Sequence, residues 1–225
     1  VEDYLKAIYS LCEAGETAST SAISETLQVQ PASVTGMIKR LAEAGYLAHV
    51  PYRGVKLTEA GAREALRILR RHRILETYLM EPLGYRGEDV HGEAERLAHA
   101  ASDELVERMA KALENPSHDP HGAPIPTSSG EIEATDSYSL ADLVEGEEAQ
   151  VRAVRDDDSD GLVAVEAAGL LPGTRVRVTG RTATPPTLIL EIEGSTAGPL
   201  RLDLAVAERV YVVTNASPGG RSAGP

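Results

Sequence analysis

The chain has 225 residues, 22 Lys+Arg against 35 Asp+Glu for a formal net charge of −13, and neither Trp nor Phe. That length allows two or three small domains, and 42% hydrophobic with 25% charged residues describes a globular protein able to bury a core. No apolar run approaches the roughly 18 residues a spanning helix needs, so no membrane segment is expected, and a charge of −13 spread evenly would also exclude nucleic acid as a partner.

In chain order, residues 1 to about 113 read as helical, with Leu, Ala, Glu and Arg abundant and apolar residues at helical spacing. Cys12 is the single cysteine and cannot form an internal disulfide, which suits a reducing cytoplasm. No secretory pattern opens the chain, and the missing initiator Met suggests that a few residues precede Val1. Ser21 is expected to cap a short helix, Ala22–Leu27. Pro31 then stands in the first turn of a second helix, Ala32–Ala44, which Gly45 closes. A hairpin, Tyr46–Val50 and Val55–Leu57, turns through Pro51-Tyr52-Arg53-Gly54, and Thr58 caps the next helix. A long helix is expected over Glu93–Leu113, and the four prolines of Asn115–Gly130 make that stretch a boundary loop. From Glu147 the pattern turns to short β-type runs at Ala149–Arg155, Leu162–Glu166, Arg175–Thr179, Thr187–Ile192, Leu200–Leu204 and Arg209–Thr214. These predict a small barrel followed by a disordered tail.

Two helices, a tight turn and a β-wing form the winged helix-turn-helix arrangement that docks on DNA, although helical hairpins beside β-hairpins also occur without that role. The charge separates the two readings. From Gln28 to Arg73 there are nine basic and only three acidic residues, whereas residues 74–166 hold six basic and 23 acidic. The residues placed to face DNA are Gln30, Pro31, Ala32, Ser33, Thr35, Lys39 and Arg40 on the second helix, with Tyr52 and Arg53 on the wing.

The acidic block holds a second constellation. His72 and Glu76 are i, i+4 on one predicted helix, Glu95 and His99 on another, and His91 lies just before the latter. Neighbours at that spacing share a helix face and can reach one ion. A single pair of this kind is more readily read as a solvated salt bridge. The whole set beside a winged helix favours one or two divalent metal sites.

Several stretches occur in a fixed order: Asp3-Tyr4-Leu5 with Ile8-Tyr9, Ser33-Val34-Thr35, Tyr52-Arg53-Gly54 with Leu57-Thr58, Arg71-His72-Arg73 with Glu76, Val90-His91-Gly92-Glu93-Ala94-Glu95, and Pro120-His121-Gly122 with Pro124-Ile125-Pro126. Together they closely resemble the diphtheria toxin repressor family of metal-dependent transcriptional regulators. The resemblance implies an α+β protein with a winged helix-turn-helix domain over 1–65 and a helical metal-binding and dimerisation domain over 66–130. A linker over 131–146, an SH3-like β-barrel over 147–215 and a disordered tail over 216–225 complete that plan. It also implies a metal site of His72, Glu76 and His91, joined by C-terminal ligands for which Asp158 and Asp160 are the better candidates. A second site would use Asp3, Glu95 and His99. Two departures reduce that site: Lys6 and Ala98 stand where manganese-selective members carry acidic ligands.

Iron-selective members place Met and Cys where this chain has Asp3 and Glu95. Carboxylate and imidazole donors without sulfur favour harder ions, so Mn²⁺ is the expected cofactor, with Fe²⁺, Co²⁺ or Cd²⁺ able to bind in vitro. The expected function is a cytoplasmic, manganese-dependent repressor of metal-uptake genes, a homodimer on double-stranded, palindromic operator DNA. Alternatives are an iron-responsive regulator of the same family, a winged-helix regulator sensing a small organic ligand, and a metallohydrolase. Against the last, there is no His-Glu-x-x-His motif, nucleophile elbow or phosphate loop, and no enzymatic activity is expected.

Overall fold

The computed structural model describes residues 1–12, 17–86, 88–133, 138–155 and 159–214, without the side chains of Glu88, Ser159 and Asp160. Helix α1 (Glu2–Cys12) opens with Glu2 and Asp3 at its positive end and buries Leu5 and Ile8, three residues apart on one face. Helix α2 (Thr20–Leu27) starts earlier than expected. Its cap is Ser19, whose Oγ accepts the Ala22 N–H at 3.1 Å, and not Ser21. Gln28 ends it in the left-handed region, φ 54°. Helix α3 (Pro31–Glu43) has Pro31 at its start and buries Val34, Ile38 and Leu41, leaving the opposite face to solvent.

Strands β1 (Leu47–Val50) and β2 (Gly54–Leu57) pair antiparallel, Leu47 opposite Leu57 and Val50 opposite Gly54. Gly54 has φ 118°, and a Cβ there would lie 2.2 Å from the Ala18 carbonyl oxygen. That close approach is the Ala18–Val55 bridge, which ties the wing to the segment before α2. Leu5, Ile8, Ile23, Val34, Leu41, Leu47 and Val55 form one apolar core. At roughly 1.5–3 kcal/mol for each large side chain removed from water, that burial is the main force fixing the winged helix.

Helix α4 (Glu59–Met80) is capped by Thr58, whose Oγ1 accepts the Gly61 N–H at 3.0 Å. Helix α5 (Glu88–Ala98) and helix α6 (Asp103–Ala112) replace the single helix expected over Glu93–Leu113. The break has a local cause: Ser102 Oγ accepts the Leu105 N–H at 3.2 Å and restarts the helix as a cap. His99 therefore lies beyond the end of α5.

The C-terminal part is a six-stranded antiparallel sheet of the SH3-like class, ordered β3-β8-β4-β5-β6-β7. Its strands are β3 (Tyr138–Ser139), β4 (Glu148–Val154), β5 (Arg175–Ala183), β6 (Pro186–Ile192), β7 (Leu200–Asp203) and β8 (Val210–Thr214). Val151 opposite Val212 and Val178 opposite Leu190 fix the register, and all four are buried. Leu162–Glu166, expected as a strand, is instead part of helix α7 (Ser159–Ala167). Its buried residues Leu162 and Val165 are three apart, and a short apolar run of this kind cannot be assigned from periodicity alone. Helix α8 (Leu204–Ala207) is a single turn between β7 and β8. The tail expected to be disordered lies outside the described residues.

By internal contacts the chain forms two units. One comprises Val1–Leu75, Ala98–Met109 and Ile125–Glu133; the other comprises Glu76–Leu97, Ala110–Pro124 and the segment from Ala134 onward. Among the described residues no helix is long and apolar enough to cross a membrane.

Candidate metal centre and DNA-facing surface

Helix α4 buries Arg71, His72, Arg73, Glu76 and Thr77 within two turns. Charged side chains in such a run normally face water, so their burial calls for partners. Glu76 is fully buried, and on α5 the Nδ1 of His91 lies 3.0 Å from its Oε1. Glu95, one turn along α5, brings Oε2 to 3.9 Å from His91 Nε2. His72 lies one turn before Glu76 on the same helix, and His72, Glu76 and His91 each offer a ligand atom within 4.8 Å of the others.

A second set shares the same carboxylate. Glu76, Asp119 and His121, all buried, also offer ligand atoms within 4.8 Å of one another. Asp119 shapes the loop that presents them: its Oδ1 accepts the N–H groups of His121 and Ala123, both at 2.9 Å. Such side-chain-to-backbone bonds let Asp fold a tight turn on itself. Gly122 (φ 81°) completes the turn, because a Cβ there would lie 2.1 Å from the Arg152 carbonyl oxygen on β4. The Val154 N–H, also on β4, donates to the His121 carbonyl at 2.9 Å. Glu166 on α7 brings Oε1 to 3.7 Å from His121 Nε2.

His121 is 4% exposed, yet its Nδ1 has no hydrogen-bond partner among the described residues. A buried imidazole nitrogen in that condition, beside carboxylates, suits a divalent ion. The donors are imidazole and carboxylate, without sulfur.

The structure thus brings His72, Glu76 and His91 together and sets Glu95 beside His91. Asp3 and His99 are not part of that set, and their Oδ1 and Nε2 lie 4.0 Å apart. Asp158 lies outside the described residues, as does the side chain of Asp160, near the start of α7. Asp119, His121 and Glu166 were missed by sequence reasoning. The one signal was the stretch Pro120-His121-Gly122, which carried part of the family resemblance but was otherwise read as a boundary loop and assigned no ligand.

The DNA-facing candidates are all exposed. Gln30 caps α3 in an extended conformation, and Pro31, Ala32, Ser33, Thr35, Lys39 and Arg40 lie on its outer surface. Tyr52 (φ 65°) and Arg53 form the tip of the wing.

Comparison with known proteins follows the same division. Residues 1–55 match the N-terminal DNA binding domain of iron dependent repressors, and residues 58–127 match their metal binding and dimerisation domain. Residues 138–214 match the FeoA domain. The iron-dependent repressor IdeR of Mycobacterium leprae (strain TN) is 30% identical over 224 residues, covering 94% of this chain and 96% of that protein. A solved manganese-dependent transcriptional repressor in complex with manganese superposes with a TM-score of 0.85 at 34% identity, covering 95% of this chain and 99% of the other. The manganese regulator SloR superposes with a TM-score of 0.80 at 32% identity, covering 95% and 97%. A winged helix, a buried carboxylate–imidazole centre and a C-terminal FeoA domain, matched over nearly the full length of such relatives, show that the chain belongs to the diphtheria toxin repressor family of metal-dependent transcriptional regulators.

Proposed function

We propose that the chain is a manganese-responsive repressor of metal-uptake genes, reading the ion at the Glu76 centre and binding a palindromic operator as a homodimer. The observation that carries this reading is the buried Glu76 carboxylate, shared by His72 and His91 in one ligand set and by Asp119 and His121 in another. Carboxylate and imidazole donors suit harder ions such as Mn²⁺. A bound divalent ion supplies the positive charge that offsets the carboxylates gathered there.

The chain's own residues arrange the rest. The hydrogen bonds of Asp119 fix the loop, β4 holds the His121 backbone, and α7 contributes Glu166. On this reading α3 enters the major groove with Ser33, Thr35, Lys39 and Arg40, while Arg53 reaches backbone phosphate. Linkage requires DNA to raise metal affinity by the factor by which metal raises DNA affinity. An iron-responsive regulator is the second reading, favoured by the matching domain models, both of which describe iron dependent repressors. Fe²⁺ prefers the same donors, and Co²⁺ or Cd²⁺ are expected to occupy them in vitro.

The test is fluorescence anisotropy on promoter fragments from metal-transporter genes and from the protein's own upstream region. Mn²⁺ is expected to tighten binding by about tenfold or more over a chelator control. Glu76→Gln and His121→Ala are expected to remove that gain. Equal affinity with and without Mn²⁺ would sink the manganese reading, and a gain given only by anaerobic Fe²⁺ would favour iron.

A further inference from the structure

The second site implied by the family resemblance does not fit the residues found near Asp3. Lys6 and Ala98 stand where acidic ligands are expected, and no ligand cluster among the described residues includes Asp3 or His99. A cation of another kind is built in there. Arg71 is 8% exposed, and its Nη1 donates to Glu2 Oε1 and to the Ala98 carbonyl, both at 3.2 Å. Its Nη2 donates to Asp103 Oδ1 at 3.0 Å. The second oxygen of Glu2 lies 3.2 Å from His99 Nδ1. One guanidinium therefore gathers the first residue of α1, the last of α5 and the first of α6.

Each of these contacts suits its helix end. Glu2 and Asp103 sit at positive N-termini, and the Ala98 carbonyl is at a negative C-terminus. A guanidinium stays protonated at any pH the fold survives and presents several donors in a fixed plane, so it satisfies all three acceptors at once. A divalent ion held by half-exposed Asp3 and His99 would instead come and go with its concentration.

We propose that Arg71 is a permanent internal cation that holds α1 to the α5–α6 junction in place of a metal ion, so that this joint is set in the metal-free protein. The inference builds on the reading of Glu76 as the metal-sensing centre. Its test is hydrogen exchange on the full-length, chelator-treated protein, followed by mass spectrometry peptide by peptide.

Amides in α1 are expected to be protected without metal, and Mn²⁺ is expected to change their exchange by less than about twofold. Arg71→Met and the milder Glu2→Gln are each expected to speed α1 exchange by about tenfold. In native mass spectra, Asp3→Asn and His99→Ala are expected to leave the number of bound Mn²⁺ ions unchanged, while His121→Ala lowers it. Protection of α1 that forms only on adding Mn²⁺, or loss of an ion in Asp3→Asn, would overturn the proposal. Wild-type protein that binds no Mn²⁺ but keeps α1 protected would overturn the metal-sensing reading and support the Arg71 joint.

Discussion

Gly36 sits midway along α3, and nothing lies within 4 Å of where its Cβ would be. Packing does not require it there, and a glycine inside a helix costs roughly 1 kcal/mol relative to alanine. Gly36→Ala is expected to stabilise the protein by about 0.5–1 kcal/mol, read as a higher urea midpoint at unchanged m-value. A lower midpoint would show that the helix is not regular at this position. The same variant probes the operator, because Gly36 follows Thr35 on the surface assigned to DNA. Weaker binding by a more stable protein would mean that the groove needs the missing methyl. Gly54 and Gly61 are different in kind, since a Cβ at either would lie close to 2 Å from a carbonyl oxygen (2.2 and 2.1 Å). Nothing in the sequence separates the open glycine from the two closed ones; only the approach of distant backbone does.

At the level of elements, the start of α6 carries a measurable electrostatic signature. The hydrogen bond from Arg71, joined by the charge of Arg67, holds the Asp103 carboxyl below its ordinary range. A carboxylate with a lowered folded-state pKa contributes stability above its unfolded value of about 3.9, and that contribution is lost as pH falls through the folded value. Asp103 is 65% exposed in its side chain, so screening keeps the effect near that of a surface pair, about 1 kcal/mol or less. Asp103→Asn is therefore expected to unfold at lower temperature than wild type at pH 7, with the gap narrowing as pH falls below the unfolded carboxylate value of about 3.9. A gap that persists in acid would assign the loss to something other than this ion pair. The same region shows how far elements could be read in advance. Apolar spacing and caps located α3, the wing and α4, because their cores and hydrogen bonds are local in sequence. The break at Ser102 and the helical state of α7 depend on competing local signals of similar strength. Glu76 and His91 were legible through helical spacing and the family resemblance. Asp119 and His121 sit in one local turn, but only long-range folding brings them near Glu76 and Glu166 near His121.

For the molecule as a whole, the net charge of −13 conceals a basic stretch, Gln28–Arg73, and an acidic middle. Non-specific attraction to DNA is expected to be weak, leaving operator affinity to depend on geometry. Arg53→Ala at the wing tip is expected to weaken binding to every sequence alike and to flatten the log–log salt dependence by about one unit. A change in sequence preference with an unaltered salt slope would instead place Arg53 against a base edge. The connectivity of the two contact units has a separate consequence. The chain passes repeatedly from one unit to the other, and Ala98–Met109 belongs with Val1–Leu75 although Glu76–Leu97 separates them in sequence. The polypeptide is laced through its units and not strung as beads. A protease that nicks one crossing, for instance near Leu97, would leave fragments still held by packing within a single unit, and they would part only on denaturation.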